Sequence, residues 1–135
     1  MSTMLRACGN EFDVDACLNN CTLPVCAVMK LGEPVFPRSR PDGKKHEQTG
    51  INIDVSDADF DNYPKQVEEA ISFLKAYVEQ IRQLREFPGV ETLTLDFGIA
   101  QKDVPAQYIR LPNKLIQLAA ALGLEIELSL YAVEE

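Results

Sequence analysis

The chain has 135 residues, 46% of them hydrophobic and 25% charged, and a formal net charge of −8. That length suits one α+β domain over residues 1–135, with a core large enough to need no covalent staples. The negative charge works against non-specific nucleic-acid binding and against anionic membranes, and leaves a basic protein as the compatible kind of partner.

No stretch approaches the roughly 20 apolar residues of a membrane span. The start, MSTMLRACGNEFDVD, lacks the apolar run of a signal peptide. A cytoplasmic location with reduced thiols is the expectation. Cys8, Cys17, Cys21 and Cys26 all fall early, with no CxxC pair, and His46 is the only histidine. Zinc sites favour paired short spacings, so these thiols read as small hydrophobes, with metal and redox roles as the less economical alternatives.

Residues 1–10 show little pattern. Asp13 precedes a short apolar run, Val14 to Leu18, that suits a short helix ending at Asn19-Asn20. Leu23 to Leu31 alternates and reads as a first strand, with Pro24 tolerable on a sheet edge. Residues 32–50, GEPVFPRSRPDGKKHEQTG, read as a long loop, because their prolines and glycines exclude a regular element. Loops of that length are often functional. Ile51 to Ser56 is a second strand.

Pro64 to Phe87 reads as one long amphipathic helix. Val67, Ile71, Leu74, Val78, Ile81 and Leu84 recur at spacings of 4, 3, 4, 3 and 3, which keeps them on one side of the helix. Asp59 or Asp61 is the expected cap, Pro64 fits the first turn, and Pro88-Gly89 ends the run. Val90 to Phe97 is a third strand, and residues 98–109 form a connection of undefined state. Pro112 to Leu122 is a second helix closed by Gly123, and Leu124 to Val133 is the last strand.

The predicted order is β-β-α-β-α-β. All four strands alternate, so one sheet face is buried and the other meets water. The expected fold is a two-layer α+β sandwich: a four-stranded mixed sheet with both helices on one face. The pleat then assigns Cys26, Val28, Lys30, Asn52, Asp54, Ser56, Thr92, Thr94, Asp96, Glu125, Glu127, Ser129 and Tyr131 to the open face. Four carboxylates against Lys30 make that face acidic, and like charges held across strands call for a compensating partner.

Phosphate-binding glycine loops, a GxSxG elbow and an HExxH pair are all missing from the sequence. The run DVSDADFD lacks the glycine and glutamate of a calcium loop, and helix capping accounts for its aspartates. No cofactor, metal or catalytic residue is assigned. Tyr131 resembles the stacking platform of RNA-binding sheets only superficially, since Glu125 and Glu127 would repel phosphates.

The phrases Phe12-Asp13-Val14-Asp15, Gly32-Glu33-Pro34, Thr49-Gly50-Ile51 and Leu122-Gly123-Leu124 through Leu130-Tyr131 resemble a family of small single-domain bacterial proteins of unknown function. The resemblance implies a bacterial origin and no established activity. In size and charge the chain is also similar to acidic immunity proteins, which neutralise basic toxins.

Two functional readings follow. The first is a non-enzymatic module that docks a basic protein, or a second copy of the chain, on an acidic face containing Asp54, Thr92, Thr94, Asp96, Glu125, Glu127 and Tyr131. The second is a small anionic-ligand site, or an enzyme, under the 32–50 loop, with Arg38, Arg40, Lys44, Lys45 or His46 holding the anion.

Overall fold

The computed structural model describes residues 2–132, so Val133, the predicted end of the last strand, lies outside the described residues. The elements run β1 (Thr3–Gly9), α1 (Val14–Leu18), β2 (Val25–Met29), β3 (Thr49–Ser56), α2 (Tyr63–Ala76), α3 (Val78–Glu86), β4 (Thr92–Gln101), α4 (Asn113–Ala121) and β5 (Glu125–Ala132). This corrects the expected sandwich: among the described residues the sheet has five strands rather than four, and the helices number four rather than two.

The added strand is the middle one. The sheet order is β2-β3-β1-β4-β5. β1 runs antiparallel to both β3 and β4, β2 is antiparallel to β3, and β4 and β5 are parallel. Leu5 sits between Ile53 and Leu95, and Ala7 between Ile51 and Leu93; all six are buried. These side chains form one core with Val14 and Cys17 of α1, Val67, Ala70 and Leu74 of α2, Ile81 and Leu84 of α3, and Leu115 of α4. All four helices therefore pack on the Leu5 side of the sheet.

The predicted long helix is two. The apolar stripe continues across the junction, but Tyr77 leaves helical geometry at φ −114° and ψ 26°. Its N–H still donates to Phe73 O and its carbonyl still accepts from Ile81, so the segment kinks without unravelling. The cap of α2 is Asn62, whose Oδ1 accepts from Lys65 N–H at 3.3 Å, not Asp59 or Asp61. Gly123 closes α4 with φ +71°, as its position suggested.

Buried Gln66 ties the layers together. Its Oε1 accepts from Thr3 Oγ1 at 2.9 Å, and its Nε2 donates to Gly98 O at 2.8 Å and Asp59 O at 3.1 Å. The 32–50 segment is folded back on itself as a ribbon. Val35 N–H donates to Lys44 O, His46 N–H to Glu33 O, and Gly32 N–H to His46 O.

After β4, the run 102–112 turns back under the control of Gln107. Its Nε2 donates to Ala100 O, and its Oε1 accepts from Lys102 N–H, both at 3.0 Å. Among the described residues no helix is long and apolar enough to cross a membrane.

Candidate functional site

With all helices on one side, the other sheet face is uncovered. Register places Met4 between Asp54 and Asp96, Arg6 between Asn52 and Thr94, and Cys8 between Gly50 and Thr92. Parallel pairing sets Glu125 beside Thr94, Glu127 beside Asp96, and Tyr131 beside Ala100. The predicted residues Asp54, Thr92, Thr94, Asp96, Glu125, Glu127 and Tyr131 therefore do share this face.

Its charge differs from the expectation, because β1 brings a cation into the centre. Arg6 Nε donates to Asn52 Oδ1 at 3.1 Å, Nη2 to Asp96 Oδ2 at 3.2 Å, and Nη1 to Glu127 Oε2 at 3.4 Å. Ser129 Oγ donates to the other Asp96 oxygen at 2.7 Å. Asp96 is thus a satisfied, buried carboxylate inside the sheet's own network, and only Glu127 of that pair reaches water.

Two bulges move other residues off the face. Thr3 pairs with Ser56 and Met4 with Asp54, so Val55 is the extra residue and Ser56 turns to the helix side. There Ser56 Oγ donates to Glu69 Oε2 at 3.2 Å. In β2, Val25 pairs with Ile53 and Ala27 with Asn52, leaving Cys26 as the extra residue. Val28 then pairs with buried Ile51, while Ala27 and Met29, rather than Cys26, Val28 and Lys30, lie over Asn52 and Gly50. Lys30 reaches Asp15 of α1 at 3.5 Å. Leu128 and Leu130, expected to be covered, are exposed at the far end of β5.

Asp54 is the carboxylate left over. Its Oδ1 is buried and has no hydrogen-bond partner among the described residues. Burial first, then the neighbouring Asp57 and Glu69 carboxylates, push its carboxyl above the ordinary range. At the other edge, Glu125 is exposed, and Tyr131 is half exposed with its ring edge-on to Phe60 at 5.5 Å.

The 32–50 ribbon does reach this face. Lys44, Lys45 and His46 line an open groove with Val35, Arg6, Cys8 and Met29, and the carboxylate of Glu47 joins them in the lining. Arg38 and Arg40 are exposed and do not line it. The residue that sequence reasoning missed is Arg6; its place opposite Asn52 and Thr94 depends on a strand that hydropathy does not mark.

The thiols are dispersed. Cys17 is buried, Cys8 and Cys21 are half-buried, and Cys26 is exposed. Burial pushes the Cys8, Cys17 and Cys26 thiols up, which keeps them protonated and weakly nucleophilic. No family model, curated protein or solved structure matches this chain.

Proposed function

We propose that the chain is a non-enzymatic binding module that docks a basic protein on the uncovered sheet face. Its sharpest form is an immunity-type inhibitor of a basic toxin in the bacterial cytoplasm. The observation that carries the reading is the uneven charge balance of that face. Arg6 compensates Asp96 and part of Glu127, while Asp54 and Glu125 have no cation paired with them among the described residues. A cationic side chain from a partner would relieve Asp54, and Glu125, Glu127 and Tyr131 on β5 offer an exposed acidic and aromatic rim at the opposite edge of the same face. Complementary charge of this kind mainly speeds encounter and sets specificity.

The test pairs wild type with Glu125→Lys/Glu127→Lys, which leaves the Arg6–Asp96 pair in place. Each is used to capture proteins from host lysate at low and moderate salt, and the captured protein is then titrated by calorimetry. The reading expects a basic partner whose affinity falls at least tenfold in the reversal variant and weakens with salt. An affinity insensitive to both would remove it. Sedimentation of the free protein separates this outcome from pairing of two copies along β5.

A second reading is favoured by one observation, the gathering of Lys44, Lys45 and His46 with Arg6 in one groove. It makes the groove a site for a small anion. Phosphate or citrate shifting the His46 ring resonances in a saturable way would support it, and unmoved resonances would count against it.

A further inference from the structure

We propose that the cleft at the carboxyl end of β4 binds a small amphipathic monocarboxylate, a molecule with an apolar body and one anionic head. The cleft opens between the first turn of α2, the last residues of β4 and the run 102–112. Its volume is about 730 Å³, and it shares no lining residue with the groove under the 32–50 ribbon. The inference is independent of the sheet-face reading.

The walls set the body of the ligand. Phe60, Val67, Ile99 and Ile109 line the cleft, so what fills it is mainly apolar. Phe60 is held by its own backbone, whose carbonyl accepts from Ala100 N–H at 2.9 Å, and by its edge contact with Tyr131.

Tyr63 sets a polar point. It opens α2 and lines the cleft, and its ring is fixed edge-on to Phe97, with centroids 5.6 Å apart. Its hydroxyl is buried, yet has no hydrogen-bond partner among the described residues. Buried hydroxyls are nearly always paired. One left unpaired in the wall of an apolar cleft is completed when a small movement of that wall admits an oxygen arriving with the ligand. Burial pushes the phenol further up, so at neutral pH it stays a proton donor, matched to an acceptor such as a carboxylate.

The rim sets the charge. Lys102 and Arg110 both line the cleft, and neither forms an ion pair among the described residues. Asp61 is the one carboxylate in the lining, so the cations outnumber it. The segment carrying them is braced by Gln107, which bridges Ala100 O and Lys102 N–H. The backbone at Lys102 is therefore held in place before any ligand arrives, which reduces the ordering loss there on binding.

The experiment is an amide NMR titration of the whole chain with decanoate and, separately, with 1-decanol, its uncharged counterpart. Decanoate is expected to saturate, with shifts confined to residues 60–67 and 99–112, and to bind more tightly than decanol. Lys102→Gln/Arg110→Gln is expected to bring decanoate down to the affinity of decanol. Tyr63→Phe, which keeps the ring and its packing, is expected to weaken decanoate roughly three- to tenfold, the range of one hydrogen bond. Absence of saturable binding, shifts centred elsewhere, or a decanoate affinity unchanged by Tyr63→Phe overturns the proposal.

Discussion

Arg6 Nη2 lies 3.2 Å from Asp96 Oδ2, and this pair joins the central strand to its neighbour on a sheet face that no helix covers. Asp96 is 5% exposed, so its charge depends on Arg6 and Ser129. Arg6→Leu leaves that charge buried without its cation and is expected to destabilise the protein by about 2–3 kcal/mol. Glu127→Gln touches only the exposed arm of the network and should change stability by less than about 0.5 kcal/mol. Urea unfolding of both variants measures the difference; equal losses would mean that Arg6 does not support Asp96.

Asp54 makes a prediction with the opposite sign. Its folded carboxyl titrates above the ordinary value of 3.8, chiefly through burial and then through Asp57 and Glu69. A raised carboxyl means that the fold disfavours the ionised form. The penalty is absent below the unfolded value, grows as pH rises, and is complete above the folded value. Asp54→Asn should therefore raise the melting temperature at pH 7, and the gain should shrink towards zero as pH approaches 3.8. A gain independent of pH would point to packing instead.

Gln66 has no side-chain hydrogen-bonding group to spare. Replacing it with leucine keeps the approximate volume but strands Thr3 Oγ1 and Gly98 O in the core, while Asp59 O keeps its bond from Asn62 N–H. The expected loss is about 3 kcal/mol, since each buried polar group left unpaired costs about 1–3 kcal/mol. Gln66→Glu keeps the acceptor and should lose less below the titration of that carboxyl than above it. Thermal melts at pH 4 and pH 7 check both statements.

Gly9 and Gly89 let the end of β1 and the turn before β4 approach backbone to backbone. A side-chain carbon on Gly9 would collide with Gly89 O, and one on Gly89 with Glu11 O. Gly89 also has φ +91°, a conformation that alanine resists. Gly89→Ala should lose about 2–4 kcal/mol from the clash and the backbone strain together. Gly32→Ala shares the positive φ but meets nothing within 4 Å, and should lose only about 1 kcal/mol. Chemical denaturation of the two variants separates the clash from the strain.

The elements with regular hydropathy were legible in the sequence: β3, β4, β5, α4 and the apolar stripe of α2 and α3. β1 was not, because its inward positions are Thr3, Leu5 and Ala7, while Met4 and Cys8 face outward. A threonine inside and a methionine outside cancel the alternation. The stripe also continues from Leu74 to Val78 and Ile81, so nothing in its spacing marks the kink at Tyr77. Bulges at Cys26 and Val55 each shift one residue of register, and no residue type announces them.

These gaps account for what was misjudged at the candidate site. The shared face was readable from the pleat, but its charge was not, because the cation came from the strand that had no pattern. The apolar cleft lay in the connection 98–109 and its flanks, where no periodicity exists to read.

The place of β1 in the sheet also decides the order of assembly. β1 leaves the ribosome before either strand that will flank it, and Leu5 must wait for Ile53 and then Leu95. Such distant pairings make folding slow relative to local ones. Until they form, β3 and β4 each present an unpaired edge to other chains in the cell. Cutting away the first nine residues would not trim a border. It would divide the sheet into a β2-β3 hairpin and a β4-β5 pair that share no hydrogen bonds.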